Sequence, residues 1–179
     1  DLHARDQSHQ PARPADVVVF PASAEQIAAI LGAANDAHIP VTPWGVGTGL
    51  EGASIAVFGG VLLSMERMTR IITVHADDFQ VTVQPGIGHK DLNAELARTG
   101  LFFPPDPGAN ASIGGMLANN AAGIRTVRYG ASKHRAGLHG LLQSNLDRVP
   151  NCRLAVGEND SHPAARLKHA VVLSEAMLH

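Results

Sequence analysis

Apolar positions along this chain come in short blocks, and the spacing within each block predicts a different element. Val17-Val18-Val19-Phe20 is a β-branched run stopped by Pro21, and it reads as a buried strand. From Ser23 the period lengthens. Ile27, Ile30, Leu31 and Ala34 recur at helical spacing behind a Ser23/Gln26 capping box, which predicts a helix ending before Pro40. Val41 to Pro43 then reads as a second strand, so the start of the chain forms a βαβ unit. Gly60–Ser64, Ile71–Val74 and Phe79–Val83 are three further strand candidates between charged turns. The last alternates, with Phe79, Val81 and Val83 on one face. Pro85-Gly86 closes it. His89 to Arg98 is a second helix with Leu92 and Leu96 inward, and Gly100 stands where a left-handed glycine would end it. Residues 1 to 15, polar and carrying Pro11 and Pro14, read as an arm over the surface. The order of elements predicts a mixed α+β domain and not a doubly wound sheet.

Two stretches break the pattern. Pro43 to Gly52 reads Pro-Trp-Gly-Val-Gly-Thr-Gly-Leu-Glu-Gly, at the carboxyl end of the βαβ unit, where open α/β layouts bind ligands. Gly45, Gly47, Gly49 and Gly52 permit positive φ angles and a loop whose N–H groups converge on an anion. A mobile surface loop is the plainer alternative. Gly47, Gly49 and Gly52 also satisfy the Gly-x-Gly-x-x-Gly dinucleotide pattern, which requires a helix opening at the last glycine. Ala53 to Gly60 has no polar helix face, so a phosphate cradle without that helix is expected. The second stretch, Pro104 to Gly123, is rich in proline and small residues and is too small-sided for an ordinary core helix. It reads either as a loop packed on neighbouring backbone or as a wall against a large ligand.

Composition narrows the choice by exclusion. A net charge of -2 gives no electrostatic reason to expect nucleic acid, and 4% aromatic residues supply few base-stacking platforms. With Cys152 as the single cysteine there is no intrachain disulfide and no thiolate zinc cluster. No apolar run reaches the roughly 20 residues that span a bilayer. The expected location is cytoplasmic, with peripheral membrane association left open. Oligomeric state is not legible.

Taken together, Pro43–Gly52, Pro85-Gly86, Phe103-Pro104-Pro105-Asp106-Pro107, Ser112-Ile113-Gly114-Gly115 and Val127-Arg128-Tyr129-Gly130 form a recognisable order. It resembles the PCMH-type FAD-binding domain of the vanillyl-alcohol-oxidase flavoproteins. Within that family the look is closest to D-lactate dehydrogenases and the glycolate oxidase FAD subunit. The resemblance covers residues 16–130. It implies that Trp44, Gly45, Val46, Gly47, Thr48, Gly49 and Leu50 wrap the FAD pyrophosphate. It further implies that Gly86, Pro105, Asp106, Ser112, Gly114, Gly115, Asn119 and Gly123 line the cofactor. Many relatives attach FAD covalently through a histidine of the first loop; none lies between Trp44 and Gly52, so non-covalent FAD is expected. The implied activity is an FAD-linked 2-hydroxyacid oxidoreductase, D-lactate dehydrogenase-like, with hydride passing from substrate to flavin N5. The alternative is a non-catalytic FAD- or nucleotide-binding fragment.

Two departures from the family stand out. Ala53-Ser54 replaces a further glycine. After Gly130 the chain leaves the pattern, and residues 131–179 form a divergent tail with no return to the family's next apolar strand. The family's catalytic residues belong to a substrate domain with no counterpart here, so none is assigned and turnover by this chain alone is not expected. His75 and His89 read as surface groups near turns, and Glu51 as a solvated carboxylate. Five of the ten histidines (His134, His139, His162, His169, His179) fall in the tail without metal-ligand spacing. Ala164 to Leu178 reads as a helix.

Overall fold

The computed structural model describes residues 2–132, Arg135, and the backbone of 152–155 and 157–158. Strand β1 (Val17–Val19), helix α1 (Ala24–Asp36) and strand β2 (Val41–Trp44) form where the periodicity puts them. The Ser23 side chain accepts the Gln26 N–H, and Gln26 reaches back to the Ala22 N–H at 2.7 Å. Ile27, Ile30 and Leu31 are half-buried and Ala34 is buried, so the predicted stripe is the packed one. β1 is less buried than expected, with Val17 47% exposed, because it lies at the edge of its sheet.

Strand β3 (Val61–Ser64) inserts between the other two, giving the all-parallel order β1-β3-β2. Parallel neighbours need a crossover to bring the chain back to the starting edge. Residues 45–60 are that crossover, so the glycine stretch leaves the carboxyl end of β2 without a helix to carry it back. At its return, Gly60 has φ +76 and its missing Cβ would overlap the Pro40 carbonyl. Only glycine fits that turn.

Strands β4 (Ile71–His75) and β5 (Gln80–Val83) form an antiparallel pair with an irregularity between Ile71 and Thr73. Phe79, predicted to open β5, sits in the preceding turn at φ 55 and still packs against the core. Helix α2 (His89–Leu96) runs on through a 3-10 turn to Gly100, whose φ of 74 is the left-handed ending predicted for it. The core gathers Val81 and Val83 of β5, Leu92 and Leu96 of α2, and Phe103, Ile113 and Met116. Strand β6 (Leu101–Phe102) follows α2.

Two expectations are corrected. The small-residue stretch does form a helix, α3 (Ile113–Ala118), because Ser112 caps the Gly115 N–H while Ile113 and Met116 supply a buried i, i+3 pair. A second short helix, α4 (Thr126–Tyr129), precedes Gly130. The tail also returns to the sheets. Strand β7 (Cys152–Ala155) pairs antiparallel with β5, Val83 opposite Cys152, and strand β8 (Gly157–Glu158) pairs with β6. A paired strand needs only a free edge carrying unpaired N–H and C=O groups, which β5 offers whatever the tail's composition. The helix expected over 164–178 and the five tail histidines lie outside the described residues.

Candidate functional site

The site is built where β2 ends. Trp44, only 3% exposed, is its floor, and Gly47 passes directly over it. A Cβ on Gly47 would lie 2.7 Å from the indole ring, and the residue's φ is +68. Gly45 is equally constrained from another side, since its missing Cβ points onto the Ser112 hydroxyl. That contact joins the two stretches that stand apart in the sequence. The seam continues through Pro85, which touches Gly114 (2.8 Å to its absent Cβ) and accepts the Gly114 N–H at 2.8 Å. The Ile113 N–H donates to the Ile87 carbonyl at 2.9 Å.

The hydrogen-bond accounting separates donors from wall. Buried backbone N–H groups almost always find a partner. Yet no backbone N–H from Gly45 through Glu51 donates to another described residue, although Gly45, Gly47, Thr48 and Gly49 are partly buried. Such a run, with one left-handed glycine inside it, is a concave set of donors suited to an anion. The second stretch, and Gly86 before it, have these donors partnered within the protein. Gly86 donates to Met68, Gly114 to Pro85, Gly115 to Ser112, Asn119 to Gly115 and Gly123 to Thr126. Their small residues serve close approach instead. The missing Cβ of Gly123 points onto the Asp106 carbonyl, and that of Gly86 onto the Met65 carbonyl.

The fifteen residues named from the sequence therefore divide. Gly45, Ser112, Gly114 and Gly115 form one seam with Trp44 and Gly47 beneath and beside it. Asp106 and Gly123 form a second contact, and Pro105 is buried just before it. Val46 (43% exposed) and Leu50 (74% exposed) face outward at the loop tip, with Thr48 and Gly49 between them, and Asn119 is exposed at the end of α3. Gly86 is buried against backbone.

His89 is a correction. Placed at the surface by its neighbouring turn, it is 2% exposed. Its Nε2 lies 3.5 Å from Asp106 Oδ1, and its Nδ1 is buried with no hydrogen-bond partner among the described residues. The signal was available, because 89, 92 and 96 share one helical face with the two leucines that were placed inward. Burial pulls the imidazole pKa below its ordinary value, against the opposing pull of Asp106. Asp106 is itself held low, chiefly by the Gly108 N–H at 3.1 Å, with His89 and Arg125 adding to it. The sign for stability follows. An unfolded histidine titrates near pH 6.5, so below that pH the unfolded chain binds the proton that buried His89 refuses. Stability should be complete above about pH 6.5 and fall on acidification. Urea midpoints across that range should show this slope, and His89→Gln should flatten it; an unchanged slope would contradict the assignment.

Residues past Gly130 still belong to this structure. The Ser132 hydroxyl donates to Ala121 O at 2.7 Å, and the buried Arg135 guanidinium donates to Tyr129 O. Among the described residues there is no cluster able to hold a metal ion, and no helix is long and apolar enough to cross a membrane.

A parallel three-stranded unit joined to an antiparallel sheet, with an open donor loop at the carboxyl end of the first, is the architecture of a PCMH-type FAD-binding fold. The family model described as "FAD binding domain" matches residues 15–138, and this chain belongs to that family. It is 47% identical over 133 residues to "Probable D-lactate dehydrogenase, mitochondrial" of Danio rerio, covering 74% of this chain and 27% of that one. To "D-lactate dehydrogenase [cytochrome], mitochondrial" of Arabidopsis thaliana it is 44% identical, over 74% of this chain and 24% of that one. To "Glycolate oxidase subunit GlcD" of Escherichia coli (strain K12) it is 32% identical, over 80% and 28%. A solved alkyldihydroxyacetonephosphate synthase superposes with a TM-score of 0.69 at 21% identity, over 80% of this chain and 34% of that one, and shows the shared fold. The chain spans about a quarter of the length of the curated relatives it matches. The FAD-binding domain family expected from the sequence is thus the family found.

Proposed function

We propose that this chain is the cofactor-holding part of an FAD-linked 2-hydroxyacid oxidoreductase acting on D-lactate. The observation that carries the cofactor half is the run of N–H groups from Gly45 to Glu51 that have no partner among the described residues. It stands beside Ser112, the N-cap of α3, in the seam. Bound FAD supplies the two-electron acceptor. What this chain contributes is holding: backbone donors for the diphosphate, the Trp44 floor, and the small-residue wall from Ser112 to Gly123. The D-lactate half rests on the relatives so named, and the substrate class is a small 2-hydroxyacid with no role for nucleic acid. For location the proposal is the cytoplasm, on the single cysteine; cell fractionation checks it against the mitochondrial location in two relatives' names.

Titration with FAD and with NAD tests the cofactor assignment, and tighter binding of NAD would sink it. This chain alone is not expected to be reduced by D-lactate; anaerobic bleaching of the bound flavin by D-lactate, and not by L-lactate, when a substrate domain is supplied with it would mark the oxidoreductase over a non-catalytic FAD module. The flavin is proposed to be non-covalent, because the loop offers Leu50 and Glu51 and no histidine. Acid precipitation should therefore release all of it to the supernatant. Yellow colour staying in the pellet would show a covalent bond.

A further inference from the structure

The N-terminal arm takes no part in the function just proposed, yet it is packed onto the glycine loop. The Gln7 N–H donates to the Gly49 carbonyl at 3.0 Å. The Ser54 hydroxyl donates to Asp6 Oδ2 at 3.2 Å, and the Ser8 N–H donates to Asp6 Oδ1 at 2.9 Å. Gly52, at φ +79, leaves room for Gln10, whose Cγ lies 2.7 Å from the position of the missing Cβ. At the arm's root, the His3 ring stands 5.2 Å from Trp44 and its Nε2 lies 2.8 Å from Glu66. Ala4 is buried.

These contacts bear on which way the loop's donors point. In a trans peptide the C=O and the following N–H project in opposite directions, and no cis peptide occurs among the described residues. Holding the Gly49 carbonyl toward Gln7 therefore turns the Leu50 N–H away from the arm. At the loop's entry, the Met65 N–H holds the Trp44 carbonyl at 3.0 Å, which turns the Gly45 N–H away from β3. The donor run is thus oriented at one end by the sheet and near the other by the arm.

We infer that Asp6 and Gln7 are positioning residues that hold this loop with its N–H groups presented to the diphosphate of FAD. The inference rests on the cofactor proposal above. The role is geometric and not electrostatic. Ser8 and Ser54 hydrogen bonds keep the Asp6 carboxyl below its usual range, against the opposing effect of burial, so it is an anion beside an anion site. An amide of the same shape should serve as well or better.

Isothermal titrations of the full chain with FAD and with riboflavin, which lacks phosphate, test this. Gln7→Pro removes the N–H and Asp6→Ala removes the acceptors; each should cost about tenfold in FAD affinity and leave riboflavin unchanged. Gln7→Ala keeps the N–H, Asp6→Asn keeps the acceptor, and both should bind FAD like the wild type. NMR order parameters over residues 45–52 without ligand should fall in the first pair only. Wild-type FAD affinity and unchanged order parameters in Gln7→Pro would overturn the inference, as would an equal loss of riboflavin, which signals general unfolding. A wild-type chain that fails to bind FAD would instead defeat the cofactor proposal, while the ligand-free order parameters would still decide whether the arm holds the loop.

Discussion

Gly47→Val is expected to weaken FAD binding by about a hundredfold or more, roughly 2.8 kcal/mol. Two costs act at the same atom. A β-branched residue held at a left-handed φ pays about 1–3 kcal/mol of strain, and Gly47 sits at +68. Its Cβ would also lie 2.7 Å and 2.9 Å from two carbons of the Trp44 ring, which is too buried to swing aside. The loop must therefore lift off its floor, and its donors lose their common focus. Gly32 supplies the contrast. It lies in α1 with nothing within 4 Å of where a Cβ would stand, so Gly32→Ala should stabilise by about 0.5–1 kcal/mol and leave FAD affinity alone. Equilibrium dialysis of both variants against FAD checks the pair. Equal affinity in Gly47→Val and wild type would mean the loop does not hold the diphosphate.

How much of this was legible beforehand depends on the range over which each feature is determined. Helix α1 was fixed locally, by a cap and an apolar stripe within one segment, and it appeared as predicted. The βαβ start was equally local. That β3 would lie between β1 and β2 was not, because strand order is decided by pairing between residues far apart in sequence. The consequence for the site is direct: it makes residues 45–60 a crossover, a role that glycine content alone does not state. Ser112 illustrates the same limit. Its position in a Ser-Ile-Gly-Gly motif is readable, but its contact with Gly45 joins segments more than sixty residues apart. His89 differs for another reason: the nearby Pro85-Gly86 turn suggests the surface, whereas the i, i+3, i+7 face it shares with Leu92 and Leu96 carries it inward. The tail strand β7 shows a free sheet edge overriding composition. The arm was placed on the surface, and nothing in its sequence says which surface.

The site's second wall depends on one aromatic residue. Phe103 is fully buried among the α2 leucines, Val81 and Ile113, immediately before Pro104, Pro105 and Asp106. Its backbone is clamped on both sides by one amide: the Phe103 N–H donates to Asn93 Oδ1 at 2.6 Å, and Asn93 Nδ2 donates to the Phe103 carbonyl at 3.2 Å. Phe103→Ala should cost about 3–5 kcal/mol, from lost burial and the cavity left behind. That is a large share of the roughly 5–15 kcal/mol that holds a domain together. Asn93→Ala should cost less, about 1–3 kcal/mol, since it unpairs two backbone groups but leaves the packing intact. The two variants should also differ at the site. Losing the ring frees the whole 103–106 segment from α2, and with it the contact between Asp106 and Gly123. Losing the amide loosens only its first residue. Urea denaturation and FAD titration on both variants measure the two effects separately. A Phe103→Ala cost below about 1 kcal/mol, under the lower bound for such a truncation, would mean that this cluster is not what supports the wall.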